Sequence, residues 1–234
     1  MPKGVERFDF DAVLFDVDGT LVDSLEMIVR GLGDTFEQFT GNRPPEHELL
    51  GIIGKPLRDQ VHLYFEQEPS SELLAEMSTF AIERFSVHEE HERPYPAAIE
   101  CLRLLHKQGI RTALVTSKSD VELRGFLQRF EDADSVDATV CASDVIHPKP
   151  HPESALRACE LLGVAPSRSV MIGDSVYDIR CAKQAGLTAV AVAYGAGRRE
   201  SLLDERPDLL LDTPEELLAW AETAFLQTPC RERS

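Results

Sequence analysis

Asp16 and Asp18 stand two residues apart in "FDVDGTLVDS" (15–24), where the apolar run Ala12-Val13-Leu14-Phe15 ends and Gly19-Thr20 follows. Two like charges side by side cost energy unless a cation sits near them. Further polar groups occupy the same kind of place. Thr116-Ser117-Lys118 ends the run "TALVT" (112–116), and Lys149 in "HPKPHPE" (147–153) follows "ATVCA" (138–142) after a short loop. Gly173-Asp174-Ser175 ends "SVMIG" (169–173), with Asp178 four residues beyond Asp174. The charge of Asp16, Asp18 and Asp174 calls for a hard divalent cation, and Lys149 offsets part of the rest. A few oxygen ligands with open water positions suit Mg²⁺.

The elements that must position these groups are short apolar strands alternating with helical segments. Besides the runs already quoted, "TAVAVAYG" (188–195) and "LLL" (209–211) read as strands. Helical periods cover 97–108, 120–129, 152–162, 175–185 and 214–226. Alternation of this kind predicts an α/β fold, a Rossmann-like parallel sheet with helices on both faces. Ligands bind such sheets at the carboxyl ends of the strands, where all four polar groups fall. The alternation is interrupted once. From about 22 to 92 helical periods dominate, with no convincing strand, in "SLEMIVRGLGDTFEQF", "LRDQVHLYFEQ" and "SELLAEMSTFAIERFSVHEEHE". The organisation expected is an α/β core of residues 1–21 and 93–234 with a small helical cap, 22–92, inserted after strand 1. Asp23 with Glu26 reads as the capping pair of the first cap helix, and "TPCRERS" at the end reads as frayed.

The length of 234 residues suits one large domain or one domain with an insertion. A formal charge of −17 disfavours nucleic-acid partners, since phosphates are repelled. Cys101, Cys141, Cys159, Cys181 and Cys230 are odd in number and form no C-x-x-C pair, so they read as reduced thiols in a cytoplasmic protein. Residues 1–11 carry Glu6, Asp9 and Asp11 and no apolar run, so no secretory leader is expected. No apolar stretch approaches the roughly 20 residues needed to span a membrane.

"DVDGTLVDS", the strand-end Thr/Ser, the lone Lys149 and "GDSVYD", in this order, resemble the four motifs of the haloacid dehalogenase-like phosphatases. The resemblance covers nearly the whole chain, and the helical insertion looks like that superfamily's small cap. "GIIGKPL" (51–57) is similar to a stretch in the caps of phosphoglycolate phosphatase-like members. The resemblance implies roles. Asp16 is the nucleophile and forms an aspartyl-phosphate. Asp18 protonates the leaving alkoxide and then takes a proton from water, a duty helped by crowding among acidic neighbours. Mg²⁺ is held by Asp16, the Asp18 carbonyl and Asp174, with Asp178 supporting it from behind or through water. Thr116 and Lys149 hold the transferring oxygens, assisted by backbone N–H groups near Asp18 and Ser117. Ser117, and Lys55 and Arg58 in the insertion, are the expected substrate contacts.

Each residue also has an ordinary reading. Thr116 and Asp174 could be helix N-caps, Lys149 a solvated loop lysine, and Asp178 a charge favouring a helix N-terminus. Lys55 and Arg58 could lie on a solvated helix face, and Arg198 and Arg199 on a surface loop. His62, His88 and His91 read as surface residues. Phe36, Phe39, Tyr64, Phe65, Phe80 and Phe85 read as the core of the cap. The function expected is Mg²⁺-dependent hydrolysis of a small phosphorylated metabolite, of phosphoglycolate type or a similar phosphomonoester, by a monomer or homodimer. A phosphosugar mutase and a pyrophosphatase use the same motifs and stay open, although "IIGKPL" departs from the mutases' K-G-x-x-R pattern. A phospho-accepting signalling domain places no D-x-D-G-T at its first strand, and a catalytically dead interaction protein is disfavoured by the complete motif set. Dehalogenases and phosphonoacetaldehyde hydrolases lack an aspartate at the place of Asp18.

Overall fold

The computed structural model describes residues 10–62, 65 and 69–225. Its elements run β1 (Ala12–Phe15), β2 (Val22–Asp23), α1 (Leu25–Thr40), α2 (Glu46–Leu50), α3 (Leu57–His62), α4 (Ser71–Val87), β3 (Arg93–Pro94) and α5 (Pro96–Lys107). Then follow β4 (Arg111–Val115), α6 (Asp120–Arg129), β5 (Ala138–Val140), α7 (Glu153–Leu162), β6 (Ser169–Gly173), α8 (Val176–Ala185), β7 (Thr188–Val192), α9 (Arg199–Asp204), β8 (Leu209–Leu211) and α10 (Pro214–Phe225). The expected strands and core helices appear within a few residues of where periodicity puts them. The short α2 and α9 were not legible from it.

Six strands form one sheet in the order β5-β4-β1-β6-β7-β8, with every neighbouring pair parallel. Strand β1 is central, so its carboxyl end faces the crevice where the chain turns to β4 on one side and β6 on the other. Side chains alternate across the sheet as a pleat requires. Val13, Phe15, Leu114, Val170 and Ile172 pack under α5, α6 and α10. Ala12, Leu14, Ala113, Val115 and Met171 pack under α7 and α8. The second face is rich in alanine, on strands and helices alike, and these small side chains let α7 and α8 lie close to the sheet.

The helical block α1–α4 has its own core around Met27, Leu32, Phe36, Leu74 and Met77. The expected aromatics fall there: Phe36 is fully buried, Phe39 meets the Phe80 ring edge-on at 5.6 Å, and Phe65 and Phe85 pack against the cluster. Tyr64, Cys230 and "TPCRERS" lie outside the described residues. His88 is not a free surface residue: its Nε2 lies 2.8 Å from Asp34 Oδ2 and ties the end of α4 to α1. Cys101, Cys141, Cys159 and Cys181 are buried free thiols. Among the described residues no helix is long and apolar enough to cross a membrane.

Two local readings are corrected. The stretch 22–92 does hold strand: β2 pairs antiparallel with β3, Val22 opposite Pro94 and Asp23 opposite Arg93. Two-residue strands have no period to read, so only the pairing reveals this ribbon at the two ends of the helical block. The N-cap of α1 is Ser24 rather than Asp23, and Ser24 makes no side-chain cap bond. Its hydroxyl goes instead to Asp18 at 2.6 Å.

Phe36→Ala removes a fully buried ring from the core of the helical block. We expect a loss of about 3–5 kcal/mol, read by urea unfolding of the variant against the parent. A loss below about 1 kcal/mol would mean that the block does not depend on this core.

Candidate active site

Asp16 leaves the end of β1 with its N–H donated to the Ile172 carbonyl at 2.9 Å, so the neighbouring strand fixes its backbone. Its side chain is buried beside Lys149, whose Nζ lies 2.9 Å from Asp16 Oδ1 and 2.6 Å from Asp178 Oδ1. The same ammonium donates to the Val115 carbonyl at 3.0 Å, at the end of β4. Lys149 is thus no loop lysine in water. Burial alone would pull its pKa down, but the charges of Asp16 and Asp178 outweigh this and hold it above its ordinary value.

Asp178 also caps the start of α8. It accepts from the Ser175 N–H at 3.0 Å and from the Ser175 hydroxyl, a capping box. The structural and the ionic reading of Asp178 therefore both hold. Asp174 directly follows β6, four residues before Asp178, and accepts from the Ala196 N–H at 2.6 Å. Three glycines pack against Asp174. A Cβ at Gly19 or Gly195 would collide with its carboxylate, and one at Gly197 with its carbonyl oxygen. Gly195, which the apolar run 188–195 puts in a strand, lies with Gly197 in the loop after β7, since that strand ends at Val192. Arg198 at the end of that loop and Arg199 at the start of α9 are exposed, and Arg199 pairs with Asp212.

Asp16, Asp174 and Asp178 bring ligand atoms within 4.8 Å of one another, all three buried. Burial first, and the Asp178 charge second, push Asp16 up to about 7 against the pull of Lys149. Asp174 is raised for the same reasons, burial and then the charges of Asp16 and Asp178. One lysine against three buried carboxylates leaves the cluster short of positive charge. The donor set is all oxygen, which suits a hard divalent cation.

Asp18 lies apart from this cluster. Its Oδ1 accepts from Lys118 Nζ at 2.8 Å as well as from Ser24. The acidic neighbours expected around Asp18 are Asp16 and Glu122, and the Lys118 cation is set directly against it as well. Lys118 is buried, its ammonium 5.9 Å over the Phe126 ring, and it is held charged by Asp18 and Glu122 although burial opposes that. The motif reading placed Lys118 beside Thr116 and gave it no role. Its one signal was a lysine in the first turn after a strand.

Thr116 is buried at the end of β4. Its Oγ1 accepts from the Lys118 N–H at 3.1 Å and keeps its own proton to donate. Ser117 donates its hydroxyl to the Gly54 carbonyl at 2.7 Å, so it binds the helical block, where a substrate contact was expected. Gly54 has φ +97°, and a Cβ there would press on Ser175 and Tyr177. Glycine lets this loop seat directly on the sheet edge.

Between the sheet edge and the helical block lies a cavity of about 40 Å³, bordered below by Asp16, Asp18 and Lys118 and above by Ile53, Lys55 and Gln60. Of the two expected cap cations, Lys55 lines it and Arg58 does not. Arg58 is exposed on α3, one residue on from the buried Leu57. A helix turns about 100° per residue, so the two cannot share a face.

The geometry now has a family. Residues 13–192 match the haloacid dehalogenase-like hydrolase model. The chain belongs to that family. It is 31% identical over 208 residues to pyrophosphatase PpaX from Bacillus cereus, covering 89% of this chain and 94% of that one. CbbY from Rhodobacter sphaeroides, solved in complex with phosphate, superposes with a TM-score of 0.76 at 25% identity, over 89% of this chain and 96% of its own. A predicted phosphoglycolate phosphatase from Haemophilus somnus shares the fold, with a TM-score of 0.80 at 24% identity, over 93% of this chain and 99% of its own.

A carboxyl raised in the folded state is costly to ionise there. Its share of stability is present below its unfolded value near 3.8 and is lost as pH rises towards about 7. With a chelator present, the stability of the parent protein relative to Asp16→Asn should fall across this window. Thermal unfolding of both proteins from pH 4 to 8 checks it; a constant difference would contradict the raised value.

Proposed function

We propose that this protein is a Mg²⁺-dependent phosphatase of small phosphorylated metabolites that carries the phosphoryl group on Asp16. The observation that supports this best is the buried cluster of Asp16, Asp174 and Asp178 closed on Lys149 at the sheet edge. Asp16, the Asp18 carbonyl and Asp174 would hold the metal, with Asp178 behind them. When bound, the ion supplies neutralisation of phosphoryl charge. Asp16 attacks phosphorus, and the bond from phosphorus to the leaving oxygen breaks. Asp18 gives that oxygen its proton. Water then attacks the aspartyl-phosphate, Asp18 takes a proton from it, and orthophosphate leaves as the Asp16 carboxylate is restored. Lys149 and Thr116 hold the transferring oxygens. Lys118 and Ser24 both bond Asp18 Oδ1, and in this reading Oδ2 carries the proton traffic.

In this reading residues 22–92 act as a cap over a core of 1–21 and 93–234, and closure excludes water. The buried free thiols support a cytoplasmic setting. A phosphoanhydride is the second reading of the substrate, favoured by the pyrophosphatase relative at 31% identity.

Phosphate release should require Mg²⁺, stop with EDTA, and vanish in Asp16→Asn with the fold retained by circular dichroism. Turnover within about tenfold of the parent in that variant would remove Asp16 as nucleophile. Asp18→Asn should slow both half-reactions by about 10²-fold or more, leaving phosphoenzyme detectable by acid quench. An unchanged steady-state rate would take Asp18 out of the mechanism.

A further inference from the structure

Gln60 stands on the cap side of the cavity, on α3, and is 7% exposed. Its Nε2 donates to the Lys55 carbonyl at 2.7 Å. A carbonyl only accepts, so this bond fixes which way the amide points. The other end, Oε1, is buried and has no hydrogen-bond partner among the described residues. Buried acceptors are nearly always satisfied, and one left alone beside a binding cavity asks for a donor from the ligand.

The rest of the wall narrows what that ligand is. Met27, Ile28, Ile53, Leu57 and Phe85 make it largely apolar. Glu122 and Asp18 add negative charge, and Lys118 is already paired with Asp18. Among the described residues Lys55 is the one cap-side cation on the cavity. An anionic group placed against Gln60 would meet a carbonyl oxygen and be repelled. A hydroxyl there would donate to it.

We infer that Gln60 is a specificity-determining residue that accepts a hydrogen bond from a hydroxyl on the leaving group, so that the substrates are monophosphates of polyols or sugars. The inference rests on the reading of the Asp16 centre as a phosphoryl-transfer site. It turns the substrate away from phosphoglycolate, whose carboxylate cannot donate, and from pyrophosphate, whose outer phosphate would set net negative charge against the acceptor.

Binding to Asp16→Asn protein in Mg²⁺, measured by calorimetry, tests this without turnover. Glycerol 3-phosphate and ribose 5-phosphate are compared with ethyl phosphate, phosphoglycolate and pyrophosphate. At least one hydroxylated compound should bind about tenfold or more tightly than ethyl phosphate, and that ratio should fall about tenfold when Gln60→Leu is added. Gln60→Glu keeps an acceptor at this place and should retain more of the ratio than Gln60→Leu. Equal binding of ethyl phosphate, tighter binding of pyrophosphate or phosphoglycolate, or an equal weakening of every compound by Gln60→Leu would overturn the inference. If Gln60→Leu does not fold, the ranking on Asp16→Asn protein decides alone. Selective binding of a hydroxylated phosphate that the parent enzyme does not hydrolyse would sink the hydrolase reading and leave the role of Gln60 standing.

Discussion

The ammonium of Lys149 joins three parts of the chain in a space that water does not reach. It bonds Asp16 at the end of β1, Asp178 in the first turn of α8 and the carbonyl of Val115 at the end of β4. Removing charges from water is expensive, and only good mutual geometry recovers that cost. The central sheet supplies the geometry. Parallel pairing of β1 with β4 and with β6 fixes the relative heights of the strand ends, so one ammonium reaches the ends of β1 and β4 and the first turn of α8, which follows β6. The same packing leaves Asp174 and Asp16 with more negative charge than Lys149 balances, which makes the edge a place for a cation and an anion together.

Around this centre the chain approaches itself as closely as backbone allows. Gly19, Gly195 and Gly197 close on Asp174, and each position excludes a side chain. The carboxylate is thereby held against the Ala196 N–H rather than left to swing. A loop that supplies no chemistry of its own still decides where the aspartate points.

The helical block is tied to the site at both ends of its reach. Ser24, immediately before α1, bonds Asp18, while Gly54 receives the hydroxyl of Ser117. Asp18 thus answers to the block as well as to the sheet. Movement of the block on the β2–β3 ribbon would change the surroundings of Asp18 and the size of the cavity together. In the proposed cap reading, opening of the block and the proton transfer assigned to Asp18 would share the same contacts.

Much of this was legible in the chain itself. The short apolar runs and the helices between them follow from local sequence, and they put Asp16, Thr116, Lys149 and Asp174 after strands. The order of the polar motifs brought the family into view. Other residues were not legible because what matters about them is a distant partner. Lys118 looks like any lysine after a strand until Asp18, a hundred residues earlier, is placed beside it. Gln60 looks like a helix surface residue until Leu57 and Gln60 are seen to share the inward face that excludes Arg58. Ser24 looks like a cap and bonds elsewhere. The sequence by itself determined the six strands of the main sheet, the longer helices and the kinds of group at the sheet edge, since periodicity and residue chemistry are local. Only the tertiary structure decided which charges pair, which hydroxyls are taken and which acceptor stays free, since these depend on distances between residues far apart in the chain.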